Sequence, residues 1–132
     1  MIYTPSVEKL LTESDYVSLH CPLNNETKNF INADTLKLMK KTAYLINTAR
    51  GGVCDEPALI SALQNNLIAG AALDVQVKEP PVEDSPLYSM PNVILTPHIG
   101  WKRKETRQRG IDIMKDNIAS YLSGSPVNVV GK

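Results

Sequence analysis

Apolar positions along the chain alternate between short continuous runs and longer segments with helical spacing. The short runs predict strands at residues 15–20, 43–47, 68–73 and 93–96. The longer segments predict helices at residues 6–13, 32–40, 55 to about 65, and 104–122. Ser6, Asn32 and Asp55 are the predicted N-caps of the first three helices. Strands that alternate with helices indicate an α/β fold with a parallel sheet, and the continuous apolar strands indicate that helices cover both faces of that sheet.

Ionisable side chains stand beyond the points where three of these strands stop. Arg50 follows the second strand and precedes the turn at Gly51-Gly52, whereas Glu79 and His98 follow the third and fourth strands. In an open α/β sheet, the carboxyl ends of the strands converge on one crevice that binds ligands. A carboxylate ligand suits a bidentate arginine, and a histidine can move the proton of a hydroxyl group. The set therefore suits redox chemistry at a hydroxyl beside a carboxylate.

Each of these residues also has a structural interpretation. Arg50 could cap carbonyl groups near the Gly-Gly turn, and Glu79 could be a surface residue in a Pro-rich loop. The ring of His98 could make its hydrogen bonds within its own loop. Asp74, which ends the third strand, could be a cap or turn residue, and His20 is interpreted as structural. The residues alone leave these alternatives open.

Composition narrows the range of functions. The 132 residues carry 14 Lys and Arg against 14 Asp and Glu, which removes the electrostatic argument for nucleic acid or an anionic membrane as partner. The sequence has no apolar run of membrane-spanning length, and its start lacks the pattern of a signal peptide. Cys21 and Cys54 form neither a CxxC motif nor a metal-binding spacing, so a reducing, cytoplasmic location and no bound metal are expected.

Four longer phrases, in order, carry a resemblance to a known family: SDYVSLHCPLNNETKNFI, TLKLMKKTAYLINTARGGVCDEPALISAL, IAGAALDVQVKEP and PNVILTPHIGW. They resemble the NAD-dependent D-isomer-specific 2-hydroxyacid dehydrogenases over nearly the whole chain, from about Val7 to Val130. Several motifs in the right order are more specific than one short pattern. Trp101 and the ending RQRGIDIMKDNIASYLSGSPVNVV look most like the glycerate dehydrogenase (hydroxypyruvate reductase) branch.

The resemblance implies a partial Rossmann-like fold. It predicts a parallel sheet of about four strands with flanking helices, and it assigns residues 1–132 to a single incomplete NAD-binding domain, the C-terminal half. The sequence has no G-x-G-x-x-G turn. The first mononucleotide-binding half and the substrate domain are therefore expected to be absent from this chain.

The resemblance also assigns the site residues. Arg50 would hold the substrate carboxylate, His98 would be the acid and base, and Glu79 would hydrogen-bond the other ring nitrogen of His98. Cofactor contacts are implied for Cys21, Pro22, Thr48, Ala49, Asp74, His98 and Gly100. Gln76 and Val77 depart from the family pattern, in which an aromatic or acidic residue is usual after the DV dipeptide.

The implied function is that of an NAD-dependent oxidoreductase segment that acts on the CH–OH group of a small D-2-hydroxy acid of the glycerate or hydroxypyruvate type. Little or no activity is expected of the isolated chain, because the pyrophosphate anchor and the substrate domain would be missing. The alternative is a non-catalytic truncated module that persists as a homo-oligomer or interaction domain. The strand at residues 15–20 would have a bare edge, which predicts a homodimer or a higher oligomer that buries this edge, with swapped elements as one route.

Overall fold

The computed structural model of the chain describes residue 4 and residues 6–131. Its helices and strands are α1 (Val7–Glu13), β1 (Tyr16–Leu19), α2 (Ala33–Leu38), β2 (Tyr44–Asn47), α3 (Glu56–Gln64), β3 (Gly70–Leu73), β4 (Val93–Leu95) and α4 (Lys104–Leu122). They confirm the order of strands and helices predicted from the apolar pattern. Two short 3₁₀ turns, Gly51–Val53 and Pro86–Ser89, were not predicted, because such short elements give no periodic signal.

The four strands form one parallel sheet in the order β1-β2-β3-β4. Their register aligns the last residues of the first three strands, so that Leu19 lies opposite Asn47 and Asn47 opposite Leu73. Because the strands are parallel, the residues that follow them emerge at the same edge of the sheet. The predicted α/β, Rossmann-like architecture is therefore confirmed.

Side-chain caps begin the first three helices. Ser6 accepts a hydrogen bond from the Lys9 amide at 3.2 Å, and Asp55 accepts one from the Ala58 amide at 3.3 Å. Asn32 accepts from two amides of α2, and the Thr35 side chain accepts in return from the Asn32 amide. Each such cap typically contributes about 1 kcal/mol to helix stability. All three predicted N-caps are confirmed.

Burial in the sheet alternates along β1 and β2 instead of running continuously. Val17, Leu19 and Leu45 are buried and share one core with apolar residues of α1, α2 and α3. On the opposite face, Tyr16 and Ile94 are 69% and 68% exposed, and the Tyr16 ring stacks on that of Tyr44 with centroids 5.7 Å apart. The expectation that both faces are covered is therefore wrong for the described residues. In four-residue strands an apolar side chain on either face gives the same continuous run, so the pattern could not separate the two faces.

The chain divides into two units, Met1–His98 and Ile99–Lys132. The second unit contains α4, none of whose residues is buried. Its apolar residues at helical spacing are all more than two-fifths exposed: Ile111, Ile113, Met114, Ile118, Tyr121 and Leu122. In the described part of the chain, no helix combines the length and the apolar character needed to cross a bilayer.

The two cysteines should differ sharply in reactivity. Cys54 is buried in the core, and this burial raises the pKa of its thiol to about 12, whereas Cys21 is partly exposed. Because the thiolate is the nucleophile, we expect iodoacetamide at about pH 8 to modify Cys21 and to spare Cys54 in the native chain. Mass spectrometry before and after unfolding in urea measures this. Equal labelling of both cysteines without urea would contradict the described core.

Candidate active site

A crevice made of three adjoining cavities lies at the carboxyl ends of the strands. The first, of about 620 Å³, is lined by His20, Cys21, Pro22, Leu23, Thr48, Ala49 and Arg50. The second, of about 310 Å³, is lined by Leu23, Arg50, Gly51, Gly52, Gln76, Val77 and Glu79. The third, of about 200 Å³, is lined by Asp74, Gln76, Glu79, Pro80, Pro81, Thr96, Pro97 and His98. Arg50 lines the first two cavities and Glu79 the last two, so neighbouring cavities share a lining residue and each of the three predicted catalytic side chains lines at least one of them.

Arg50 lies in a turn that a buried asparagine holds in place. Asn47, only 1% exposed, donates from Nδ2 to the Arg50 carbonyl at 3.0 Å and accepts at Oδ1 from the Ala49 amide at 3.0 Å. Arg50 itself is exposed, and its Nη1 donates to the Ala49 carbonyl at 2.7 Å. Sequence reasoning did not single out Asn47. The signal was available, because a polar residue within a buried apolar strand must find hydrogen-bond partners.

Glu79 and His98 are in direct contact. Glu79 Oε2 lies 2.7 Å from His98 Nδ1, and Glu79 Oε1 accepts from the Gln76 amide at 3.1 Å. The hydrogen bond with His98 lowers the pKa of the Glu79 carboxyl, and the Gln76 amide and the charges of His98 and Arg50 act in the same direction. An ionised carboxylate can only accept, so it favours the proton on Nδ1 and leaves Nε2 as the nitrogen available to a substrate.

His98 has an uncommon backbone conformation. Its φ angle is +53°, in the left-handed region, and its amide donates to the Thr96 carbonyl at 3.0 Å. For a residue other than glycine this conformation costs about 1 kcal/mol or more. Such positions persist where the surrounding structure enforces them, and they cluster at functional sites. The strand-end pattern predicted that His98 lies at this edge, but it gave no sign of the left-handed turn.

Asp74 joins the ends of two neighbouring strands. Its carboxylate accepts a hydrogen bond from Thr96 Oγ1, and its amide donates to the Asn47 carbonyl at 2.9 Å. Asp74 thereby lines the third cavity together with Glu79 and His98. Thr96 is a second residue of the crevice that sequence reasoning did not single out.

The predicted cofactor residues divide between the cavities. Cys21, Pro22, Thr48 and Ala49 line the first cavity, and Asp74 and His98 line the third. Gly100 belongs to the second unit. His20, which was interpreted as structural, also lines the first cavity, and its Nε2 lies 2.8 Å from Ser18 Oγ. Within the described residues, no three His, Cys, Asp or Glu side chains form a group that could hold a metal ion.

Gly51 lets the loop after β3 cross the turn after β2. A Cβ at this position would lie 2.0 Å from the Gln76 carbonyl carbon, and backbone cannot give way cheaply. We expect Gly51→Ala to destabilise the fold by about 1–3 kcal/mol, the usual range for overpacking. Urea unfolding followed by circular dichroism measures the change.

Gly110→Ala is the matched control for that substitution, because a Cβ at Gly110 would meet nothing within 4 Å. It lies within α4, where alanine should stabilise the helix by up to about 1 kcal/mol. Equal unfolding midpoints for the two variants would contradict the close approach at Gly51.

Comparisons with known proteins agree on one family. The family model described as D-isomer specific 2-hydroxyacid dehydrogenase, NAD binding domain, matches residues 1–100. Glycerate dehydrogenase of Methylorubrum extorquens is 48% identical over 126 residues, which cover 94% of this chain and 40% of that protein. Glyoxylate reductase of Korarchaeum cryptofilum is 46% identical over 131 residues, covering 98% of this chain and 39% of that protein.

A solved structure gives the same result. The NAD complexed form of the D-isomer specific 2-hydroxyacid dehydrogenase from Lactobacillus delbrueckii ssp. bulgaricus is 34% identical, with a TM-score of 0.87. The similarity covers 98% of this chain and 46% of that one. This chain thus spans about two-fifths of the length of the curated relatives it matches.

Proposed function

The chain belongs to the D-isomer-specific 2-hydroxyacid dehydrogenases, matching their NAD-binding domain, and on that premise we propose that it supplies the catalytic side chains of an NAD-dependent oxidoreductase. The reaction is the interconversion of a small D-2-hydroxy acid and its 2-keto acid, of the glycerate and hydroxypyruvate type. The observation that carries the proposal is the 2.7 Å contact between Glu79 and His98, with Glu79 lining a neighbouring cavity together with Arg50.

The three side chains divide the work. Arg50 binds the substrate carboxylate through two parallel hydrogen bonds and so orients the neighbouring carbon. His98 Nε2 takes the hydroxyl proton in oxidation and returns it to the carbonyl oxygen in reduction. Glu79, held ionised, stabilises the positively charged imidazole that forms when Nε2 is protonated. The nicotinamide cofactor, when bound, supplies the acceptor or donor of the hydride.

The donor set of the crevice fits the nicotinamide half of that cofactor. Asp74, oriented by Thr96, offers a carboxylate that can accept from a ribose hydroxyl or a carboxamide N–H. Thr48 and Ala49 offer a hydroxyl and backbone groups, and Pro22 offers an apolar surface. The cavity of about 620 Å³ lies within the usual size range of small-molecule sites. These residues would hold the cofactor beside His98.

The test compares two proteins in hydroxypyruvate-dependent NADH oxidation. One is the 132-residue chain alone, and the other is a chimera in which this chain replaces the matched 126 residues of the Methylorubrum glycerate dehydrogenase. We expect turnover from the chimera and little or none from the chain alone. A folded chimera that binds NADH but turns over neither hydroxypyruvate nor glyoxylate would contradict the proposal and favour the non-catalytic module.

A homodimer and a cytoplasmic location belong to the same proposal. Among the described strands, β1 lies at an edge of the sheet. A second copy that pairs with this edge would hydrogen-bond to the outer backbone groups of β1. A monomer that is stable to dilution in light scattering would contradict the dimer.

The cytoplasmic location rests on a different observation. The free thiols of Cys21 and Cys54 support a reducing compartment.

A further inference from the structure

The loop that follows β3 carries Glu79 to His98 through an exposed stretch of chain. Val75 is buried, but Val77 is 56% exposed, and the Glu79 side chain is about one-third exposed. Apolar packing therefore does not fix the stretch of the loop between Val75 and Glu79. A long glutamate side chain on such a loop loses rotamer freedom when it is held at one partner.

Two carboxylates hold consecutive amides of this loop. The Gln76 amide donates to Glu79 Oε1 at 3.1 Å, and the Val77 amide donates to Glu56 Oε2 at 3.2 Å. Glu56 is the first residue of α3, far from the loop in sequence, and it is partly buried. The loop is thus attached to the start of a core helix at the residue next to the one that Glu79 binds.

A second contact further restricts the position of this loop. The backbone of Gln76 crosses directly over Gly51, where a Cβ would lie 2.1 Å from the Gln76 carbonyl oxygen. Gly51 allows the loop to approach from one side, and Glu56 holds it through the Val77 amide. The two contacts act on Gln76 and Val77, three and two residues before Glu79.

We propose that Glu56 is a positioning residue, which fixes the Val77 amide and thereby places the Glu79 carboxylate on Nδ1 of His98. The importance of this role for catalysis rests on the proposed function, whereas the hydrogen bond between Glu56 and the Val77 amide does not depend on it. Glu56 has a competing, purely structural role, because an acidic residue in the first turn of a helix stabilises that helix. The experiment must therefore read the state of the imidazole as well as the stability of the chain.

The measurement is the ratio of the two neutral tautomers of His98. Nitrogen-15 chemical shifts of labelled histidine, recorded at about pH 9 where ordinary imidazoles are neutral, report which ring nitrogen carries the proton. The chain has only two histidines, so His20 is an internal reference. No cofactor, substrate or activity is needed, so failure of this inference is distinct from failure of the proposed function in the chimera assay.

The proton is expected mainly on Nδ1 in the wild-type chain. Glu79→Gln gives the reference value for complete loss of the carboxylate at Nδ1. We expect it to lower the ratio of the Nδ1–H to the Nε2–H tautomer by about 10-fold, which corresponds to one charge-assisted hydrogen bond. Glu56→Ala should lower the ratio by about 3-fold or more, and Glu56→Gln, which keeps an acceptor oxygen, should restore most of it. A ratio unchanged in Glu56→Ala, or lowered equally in Glu56→Gln, overturns the proposal.

Two further variants separate positioning from helix stability. Glu8→Ala removes an acidic residue from the first turn of α1 and should leave the tautomer ratio unchanged. Val77→Pro removes the donor and leaves Glu56 in place, so it should reproduce the effect of Glu56→Ala even if that variant folds poorly. The same loss in Glu8→Ala, or none in Val77→Pro, overturns the proposal.

Discussion

In the glycerate dehydrogenase chimera, His98→Gln should lower kcat for hydroxypyruvate reduction by about 10²–10⁴-fold, the range that a positioned acid–base group contributes. Glutamine is similar in size and can hydrogen-bond, but it cannot transfer a proton. The left-handed backbone of His98 and its contact with Glu79 hold this side chain at the third cavity, whereas His20 lines the first cavity and contacts Ser18. Steady-state kinetics with NADH and hydroxypyruvate measure the loss.

The control for the His98→Gln prediction is the KM for NADH, which should change by less than about 3-fold if the fold and the cofactor site are intact. A His98→Gln chimera that retains more than one-tenth of the wild-type kcat would contradict the proposed role of His98.

Glu79→Gln should lower kcat less than His98→Gln does, by about 10-fold or more. It removes one charge-assisted hydrogen bond but leaves the acid and base in place.

Much of the first unit followed from local patterns in the sequence. Short apolar runs ending at polar residues predicted the four strands, and Ser6, Asn32 and Asp55 predicted the starts of three helices, because capping is a contact between residues close in sequence. The rule that parallel strands end at a common crevice then brought Arg50, Glu79 and His98 to one edge. The prediction that these three side chains lie at one edge needed only the order of the strands and helices along the chain.

The supporting contacts did not follow from the sequence. The hydrogen bond between Glu56 and Val77 joins α3 to the loop after β3, and the close approach of Gly51 to Gln76 joins two strand-end loops. Neither contact leaves a local pattern, because each depends on the position of a distant backbone. The exposed face around Tyr16 and Ile94 was missed for a different reason, since hydrophobicity alone does not say which side of a strand is covered.

The second large effect is expected for Arg50. A bidentate pair with the substrate carboxylate contains two charge-assisted hydrogen bonds of about 1.5–3 kcal/mol each, so Arg50→Gln in the chimera should lower kcat/KM for hydroxypyruvate by about 10²–10⁴-fold. Arg50→Lys keeps the charge but loses the planar fork, and it should lose about 10–100-fold. The matched control is Arg103→Gln, because Arg103 is an exposed arginine whose ion-pair distance to Glu105 is 3.7 Å.

The pattern of the loss separates substrate binding from a structural role of Arg50. Its guanidinium also donates to the Ala49 carbonyl, so a change at Arg50 could act by loosening the turn that lines the first cavity. In that case the KM for NADH would rise along with that for hydroxypyruvate. We expect the loss to be confined to the keto acid, since Asn47 holds the same turn through the Arg50 carbonyl and the Ala49 amide whatever the side chain at position 50. A parallel rise in both KM values would contradict the assignment of Arg50 to the substrate carboxylate.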